Sequence, residues 1–209
     1  MRPAHLAFAA VLAAAPAARA DVLLSNLAED LRSTSPLSDA LWAAQAFTND
    51  GESHVLTSIR AVVGDASGDP DAFAELRAGS PTGALLTTFA LPALGGALGV
   101  RSFTPLVSVT LDPGETYVFV LGVTGGGFGW SYAEGNGQVG TGSFGAYYYS
   151  EMQGADWTNF GGDNPFFMEV NVSGAVPEPA AWALMILGFS ATGAMLRRRG
   201  SPRPRTAAV

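Results

Sequence analysis

Short runs of β-branched and aromatic residues, cut every few positions by glycine and proline, leave most of this chain little choice but a β fold. Val55, Thr57, Ile59 and Ala61 alternate with His54, Leu56, Ser58 and Arg60 before Val62 and Val63. Leu85–Leu91, Val107–Leu111, Tyr117–Val123, Gly129–Tyr132, Ser143–Tyr149 and Phe166–Val172 are further strand candidates, because such side chains pack well on a pleated surface. Asp112-Pro113-Gly114 has turn chemistry, which predicts a hairpin over Leu111–Val120. Gly64–Pro70, Gly79–Gly83, Gly95-Gly96 and Gly125–Gly127 punctuate the remainder. Helical periodicity is confined here to a weak stretch at Leu27–Leu31. Roughly eight to ten short strands separated by turns predict an all-β, antiparallel, jelly-roll-like sandwich.

The C-terminal end has a different layout. Pro177-Glu178-Pro179 is followed by an uncharged apolar run from Ala180 to Leu196 and then by Arg197, Arg198 and Arg199. At 1.5 Å per residue this run makes a helix of about 26 Å, just short of a hydrocarbon core of about 30 Å. Trp182 stands at its outer end, where an indole favours the interface, and the arginines stand at the end that stays in the cytoplasm. The N-terminal end has a positive Arg2, an apolar Leu6–Ala15 and a small-residue site, Ala18-Arg19-Ala20. These are the parts of a secretory signal peptide, cut before Asp21 by signal peptidase. The expected division is residues 1–20 as signal peptide, 21–175 as the sandwich and 176–209 as a C-terminal segment with one membrane helix over 180–196.

That C-terminal segment resembles the PEP-CTERM sorting signal of Gram-negative bacteria. The residues that carry the resemblance are Pro177, Glu178, Pro179, Trp182, Met185, Ile186, Gly188, Phe189, Gly193 and Arg197–Arg199. Ser190 stands where glycine is common in the signal, and the tail runs on to Val209. The resemblance implies recognition by an exosortase, removal of the tail and an origin in an exopolysaccharide-producing host. It implies passage through the inner membrane, transient anchoring there, and a final place at the cell surface or in the extracellular matrix. The body is loosely similar to the exported domains called choice-of-anchor. The suggestive residues are Ala43–Thr48, Leu56–Ile59, Ala74–Arg77 before Gly79–Gly83, and Leu111–Val120. That likeness implies a strand, a Gly-Pro turn and the next strand in the middle segment, and carries no catalytic residues.

The body has no cysteine, so packing or a bound ion must hold it. Its 17 acidic residues against 4 arginines (Arg32, Arg60, Arg77 and Arg101) give −13, within a chain total of −7. Such a surface repels nucleic acid and anionic lipid. Catalytic constellations are poor. Behind the signal peptide the only histidine is His54, too little for a Ser-His-Asp or Cys-His site or for a histidine-based zinc site. A glycosidase needs only two carboxylates, and Glu134, Glu151, Asp156 and Asp163 fall in the aromatic region without a spacing that selects a pair.

Two features admit a ligand. Asp65, Asp69 and Asp71 alternate through a Gly- and Pro-containing segment. They read either as a solvated acidic turn or as a structural calcium site, the one cofactor in view. The stretch from Phe128 to Phe167 is rich in rings. Phe128, Trp130 and Tyr132 share one strand face, Tyr147, Tyr148 and Tyr149 alternate faces, and Trp157 and Phe160 lie in a polar segment. The rings either fill the core or stack on sugars, with Trp130, Tyr132, Tyr148 and Trp157 as candidate contacts. The expectation is a non-enzymatic, exported surface or matrix protein associated with exopolysaccharide and biofilm. The alternatives are a carbohydrate-binding module for that polysaccharide and a secreted hydrolase.

Overall fold

A computed structural model describes residues 20–49 and 51–173, together with Ile186, Phe189 and Ser190. The chain divides into two compact units, Met1–Gly174 and Ala175–Val209. In the second, the three described residues are helical, and the Ser190 hydroxyl donates to the Ile186 carbonyl at 2.7 Å. The rest of the expected membrane helix, the Pro-Glu-Pro motif, Trp182, Gly188 and the arginine cluster lie outside the described residues, as does Ala18 of the expected cleavage site.

The first unit is all-β. Among the described residues it contains twelve strands: β1 (Ala20–Ser25), β2 (Leu31–Ser38), β3 (Trp42–Thr48), β4 (His54–Ala78), β5 (Leu85–Ala90), β6 (Gly99–Pro105), β7 (Thr110–Leu111), β8 (Thr116–Ala133), β9 (Val139–Gly140), β10 (Ser143–Ser150), β11 (Thr158–Asn159) and β12 (Met168–Ser173). Every ladder between them is antiparallel. The main order is β11-β10-β3-β8-β4-β12-β1-β9.

β4 and β8 are long because each serves two layers. The first half of β4 lies between β12 and β6, pairing Ile59 with Val170 and with Phe103. Its second half pairs with β5 and with the first half of β8, as in Leu76↔Phe119. The second half of β8 pairs with β2. Phe103 on β6 meets Phe119 on β8 ring to ring at 5.4 Å, so side chains of the two layers face each other across one core. Ile59, Leu76, Phe103, Phe119, Leu121, Trp130 and Val170 are all fully buried there. The layering is sandwich-like, and burial of this apolar area is its main stabilisation.

Several expectations need correction. The weak helical stretch is not a helix: Leu27 and Ala28 form a turn and Leu31 opens β2. The Asp112 turn exists, with Glu115 N–H donating to Asp112 C=O at 3.3 Å and Gly114 at φ 71°. That positive φ is why glycine is needed at the third turn position. Its arms do not form a hairpin, however. β7 pairs with the start of β4, whereas β8 pairs with β3 and the end of β4. Tyr117–Val123 and Gly129–Tyr132 belong to one strand, since Gly125 and Gly127 continue the ladder against Asp71 and Ser67 through bulges. The strand, turn and strand expected across Ala74–Arg77 and Gly79–Gly83 are present, with Glu75 paired to Thr88.

β1 and β12 pair along their length, Ala20 opposite Ser173 and Asp21 opposite Val172. The first and last strands of the body therefore leave it side by side.

Candidate functional site

The residues expected to bind sugar do not form one face. Trp130 is fully buried, its indole N–H donating to Phe167 C=O at 3.2 Å and its ring stacked on Phe166 at 4.1 Å. It has no free face for a sugar, because position 130 points to the core side of β8. Strand alternation puts Phe128 on the same buried side and Tyr132 at its margin. Tyr148 and Trp157 meet elsewhere: both pack with Phe73 over a small outer cluster of Ala44, Ala46, Val118 and Val120.

Trp157 borders an open cleft of about 300 Å³ together with Trp42, Glu75, Arg77, Pro81, Thr82, Gln153 and Gly154. Trp42 is fixed by its indole N–H to Val123 C=O at 2.8 Å and by an edge contact with Phe73 at 4.7 Å. Gly154, at φ 82°, lies so close to the Trp42 ring that a Cβ would come within 2.6 Å of it. Arg77 donates to Glu75 at 2.8 Å through Nε and to Gly83 C=O at 3.0 Å, so the charged pair is already tied down. The cleft thus offers two indoles, one neutralised ion pair and a few hydroxyl and amide groups.

A second, smaller cavity of about 210 Å³ is lined by Arg32, Tyr132, Tyr147, Tyr149, Phe160, Asn164 and Phe166. Tyr147 stacks on Phe160 at 5.5 Å and 11°, and Tyr149 meets Phe160 edge-on at 5.4 Å. Tyr147 N–H donates to Gly161 C=O at 2.9 Å and Phe160 N–H to Tyr147 C=O at 3.0 Å, which straps the Phe160 loop onto β10. Burial pushes the Tyr149 hydroxyl above its ordinary pKa, against the opposing effect of its bond with Ser35, so this group is a neutral donor in ordinary buffers. Of this set, the sequence singled out only Tyr132 as a sugar contact. The other rings were visible as an aromatic stretch, but Arg32 and Asn164 carried no signal at all.

The three aspartates are not gathered. Asp65, Asp69 and Asp71 lie in the bulged middle of β4, where Ser67 and Asp71 pair with β8 while Asp65, at φ 53°, and Asp69 fall in the register shifts. Asp71 accepts from the Thr124 hydroxyl at 2.8 Å. Among the described residues, no three acidic or histidine groups are arranged to hold a metal. Glu134, Glu151, Asp156 and Asp163 line neither the cleft nor the cavity. No protein-family model matches the chain, and no curated protein matches it.

Proposed function

We propose that this chain is an exported, non-enzymatic β-sandwich protein of a Gram-negative bacterium. Signal peptidase removes residues 1–20, an exosortase processes the Pro177-Glu178-Pro179 segment, and the product acts at the cell surface or in an exopolysaccharide-containing matrix. The observation that carries the reading is the closure of β1 on β12. The paired strands run from Ala20 to Ser173, so the described ladder spans the sequence between the two segments that carry sorting chemistry and includes only the last residue of the first. A jelly-roll arrangement of that body is supported by the long-range pairing of β1 with β12 and of β3 with β10.

The test replaces Pro177 and Pro179 by alanine and follows intact mass and location in an exosortase-bearing host. Hydrophobicity is unchanged, so insertion persists. The expected result is a parent that starts at Asp21 and is trimmed near the motif, and a variant that stays membrane-bound and untrimmed. A variant processed and released like the parent would reduce the motif to a stalk and the chain to a simple anchored protein.

A second reading, carbohydrate binding on exopolysaccharide, is favoured by the Trp42–Trp157 cleft. Flat indoles offer π surface to sugar C–H groups, and a single carboxylate already paired with arginine suits binding better than hydrolysis. Trp157→Leu keeps an apolar cover over Val118 and Val120 but removes the ring. It is expected to weaken retention on host polysaccharide by about 1–3 kcal/mol, by analogy with stacked bases, with little change in melting temperature. Unchanged retention would refute this second reading.

A further inference from the structure

We propose that the cavity between β2, β10 and the Phe160–Phe166 segment is a binding site for a single ring that bears a carboxylate. The proposal is independent of the sorting reading and of the Trp42–Trp157 cleft.

The backbone is shaped to build this site. Arg32 sits at a bulge in β2, where the register with β8 slips between Leu31 and Ser33. β10 has its own slip against β3 between Phe144 and Tyr147, the first of its two tyrosines in the cavity. Bulges re-aim side chains, and here two of them adjoin the same space. Arg32 is then held in place: its Nη1 donates to Asn164 Oδ1 at 3.1 Å, and the same oxygen accepts from Gly135 N–H at 2.9 Å. Asn164 reaches that position with φ 58°, a backbone conformation few residues adopt readily.

Charge selects the ligand. The body carries −13 and only four arginines. Arg60 is paired with Glu169 and Arg77 with Glu75, each at 2.7 Å. Among the described residues, neither Arg32 nor Arg101 has a carboxylate within ion-pair distance, and of the two it is Arg32 that lines this cavity. One of its donors serves a neutral amide and the remainder are free for an anion. An arginine fork matches a carboxylate in shape and charge.

Shape selects the rest. Ligand cavities for larger molecules run from about 300 Å³ upward, so about 210 Å³ admits one ring and not a chain segment. Phe160, 51% exposed beside Tyr147, provides an apolar edge, and Phe166 backed by Trp130 provides a rigid floor. Tyr132 and Tyr147 add further rings to the lining, beside Tyr149, whose hydroxyl is bonded to Ser35. A uronate sugar and an aromatic acid share the required chemistry.

The full chain, held in mild detergent, would be titrated calorimetrically with glucuronate, glucose, benzoate and benzyl alcohol. The expected result is binding of glucuronate or benzoate, with the neutral counterpart at least about tenfold weaker. Whichever acid binds identifies the source as sugar or aromatic. Arg32→Ala should abolish that preference while the melting temperature stays put, since Arg32 is an exposed side chain. Phe160→Ala should weaken acid and neutral ligand alike. Absence of binding by either acid, equal affinity for the neutral counterpart, or a preference that survives Arg32→Ala would each overturn the proposal.

Discussion

Replacing Gln45 by leucine tests whether the core and the tyrosine cavity are built as one unit. Gln45 is fully buried on β3. Its Nε2 donates to Ala46 C=O and Gly145 C=O, each at 3.0 Å, and its Oε1 accepts from Phe166 N–H at 3.0 Å. It therefore ties β3 both to the bulged part of β10 and to the residue forming the cavity floor. Leucine has similar bulk and is more apolar, so the cavity and transfer costs nearly cancel. What remains is the loss of polar partners. The Phe166 N–H is buried and would be orphaned, at about 1–3 kcal/mol, while the half-buried Gly145 carbonyl recovers part of its loss from water. The sum is about 2–3 kcal/mol. For a domain of this size that lowers the melting temperature by roughly 4–12 °C, at about 2–4 °C per kcal/mol. Urea unfolding followed by circular dichroism should show the midpoint fall with an unchanged slope. A loss below about 0.5 kcal/mol would show that the three hydrogen bonds are replaceable.

Trp130→Ala, assayed by the same unfolding curve, should cost about 3–5 kcal/mol, because it empties a fully buried site between Phe119 and Phe166; a small loss would contradict its core placement. Glu169 is held below the free glutamate value: burial alone would raise it, but hydrogen bonds from Arg60 and Asn171 outweigh burial. Its stabilisation is complete above the unfolded-state value of 4.5 and fades as pH falls through the lowered folded value. Glu169→Gln should thus flatten the acid limb of a stability–pH curve by less than about 1 kcal/mol, since Arg60 is 43% exposed, and an unchanged limb would refute the pairing.

Two of the strands legible in the sequence show one wetter face, whereas Tyr117–Val123, buried on both faces, was legible from its β-branched and aromatic composition. β4 buries His54 and Leu56, changes phase at Thr57 and Ser58 where its register with β12 shifts, and then buries Ile59, Ala61 and Val63. The expected common face of Val55, Thr57, Ile59 and Ala61 is therefore broken. β12 alternates buried and half-buried side chains from Met168 to Ser173. β3 escaped notice except through resemblance, because Ala43 to Phe47 are buried on both faces: the core takes one side, and the cluster beneath Tyr148 and Trp157 covers the other. An alanine-rich run buried on both faces has no period to detect. β2 was hidden by its serines and by Pro36, which an edge strand tolerates because it need not donate there. The face each ring takes was legible only within a strand. Spacing put Trp130 and Phe128 together, but whether that side was core or surface depended on partners far along the chain. Arg32 was illegible because its role comes from a bulge, and a bulge is a property of a ladder between two distant segments rather than of either one.

The pairing of β1 with β12 also sets a timetable. Every partner of β1 comes from the far end of the body, Val139–Gly140 on one side and Met168–Ser173 on the other. In a chain threaded through a membrane from its N-terminus, Leu23 and Leu24 emerge early and wait, unshielded, until β12 appears. Contacts so distant in sequence are slow to form, and an apolar strand left unpaired meanwhile invites association with its neighbours. The same delay bears on processing, because in the uncut chain Ala20 and Asp21 both join the ladder once β12 docks. Under the proposed export, a protease that cuts between them must act before closure, which would put signal removal ahead of folding.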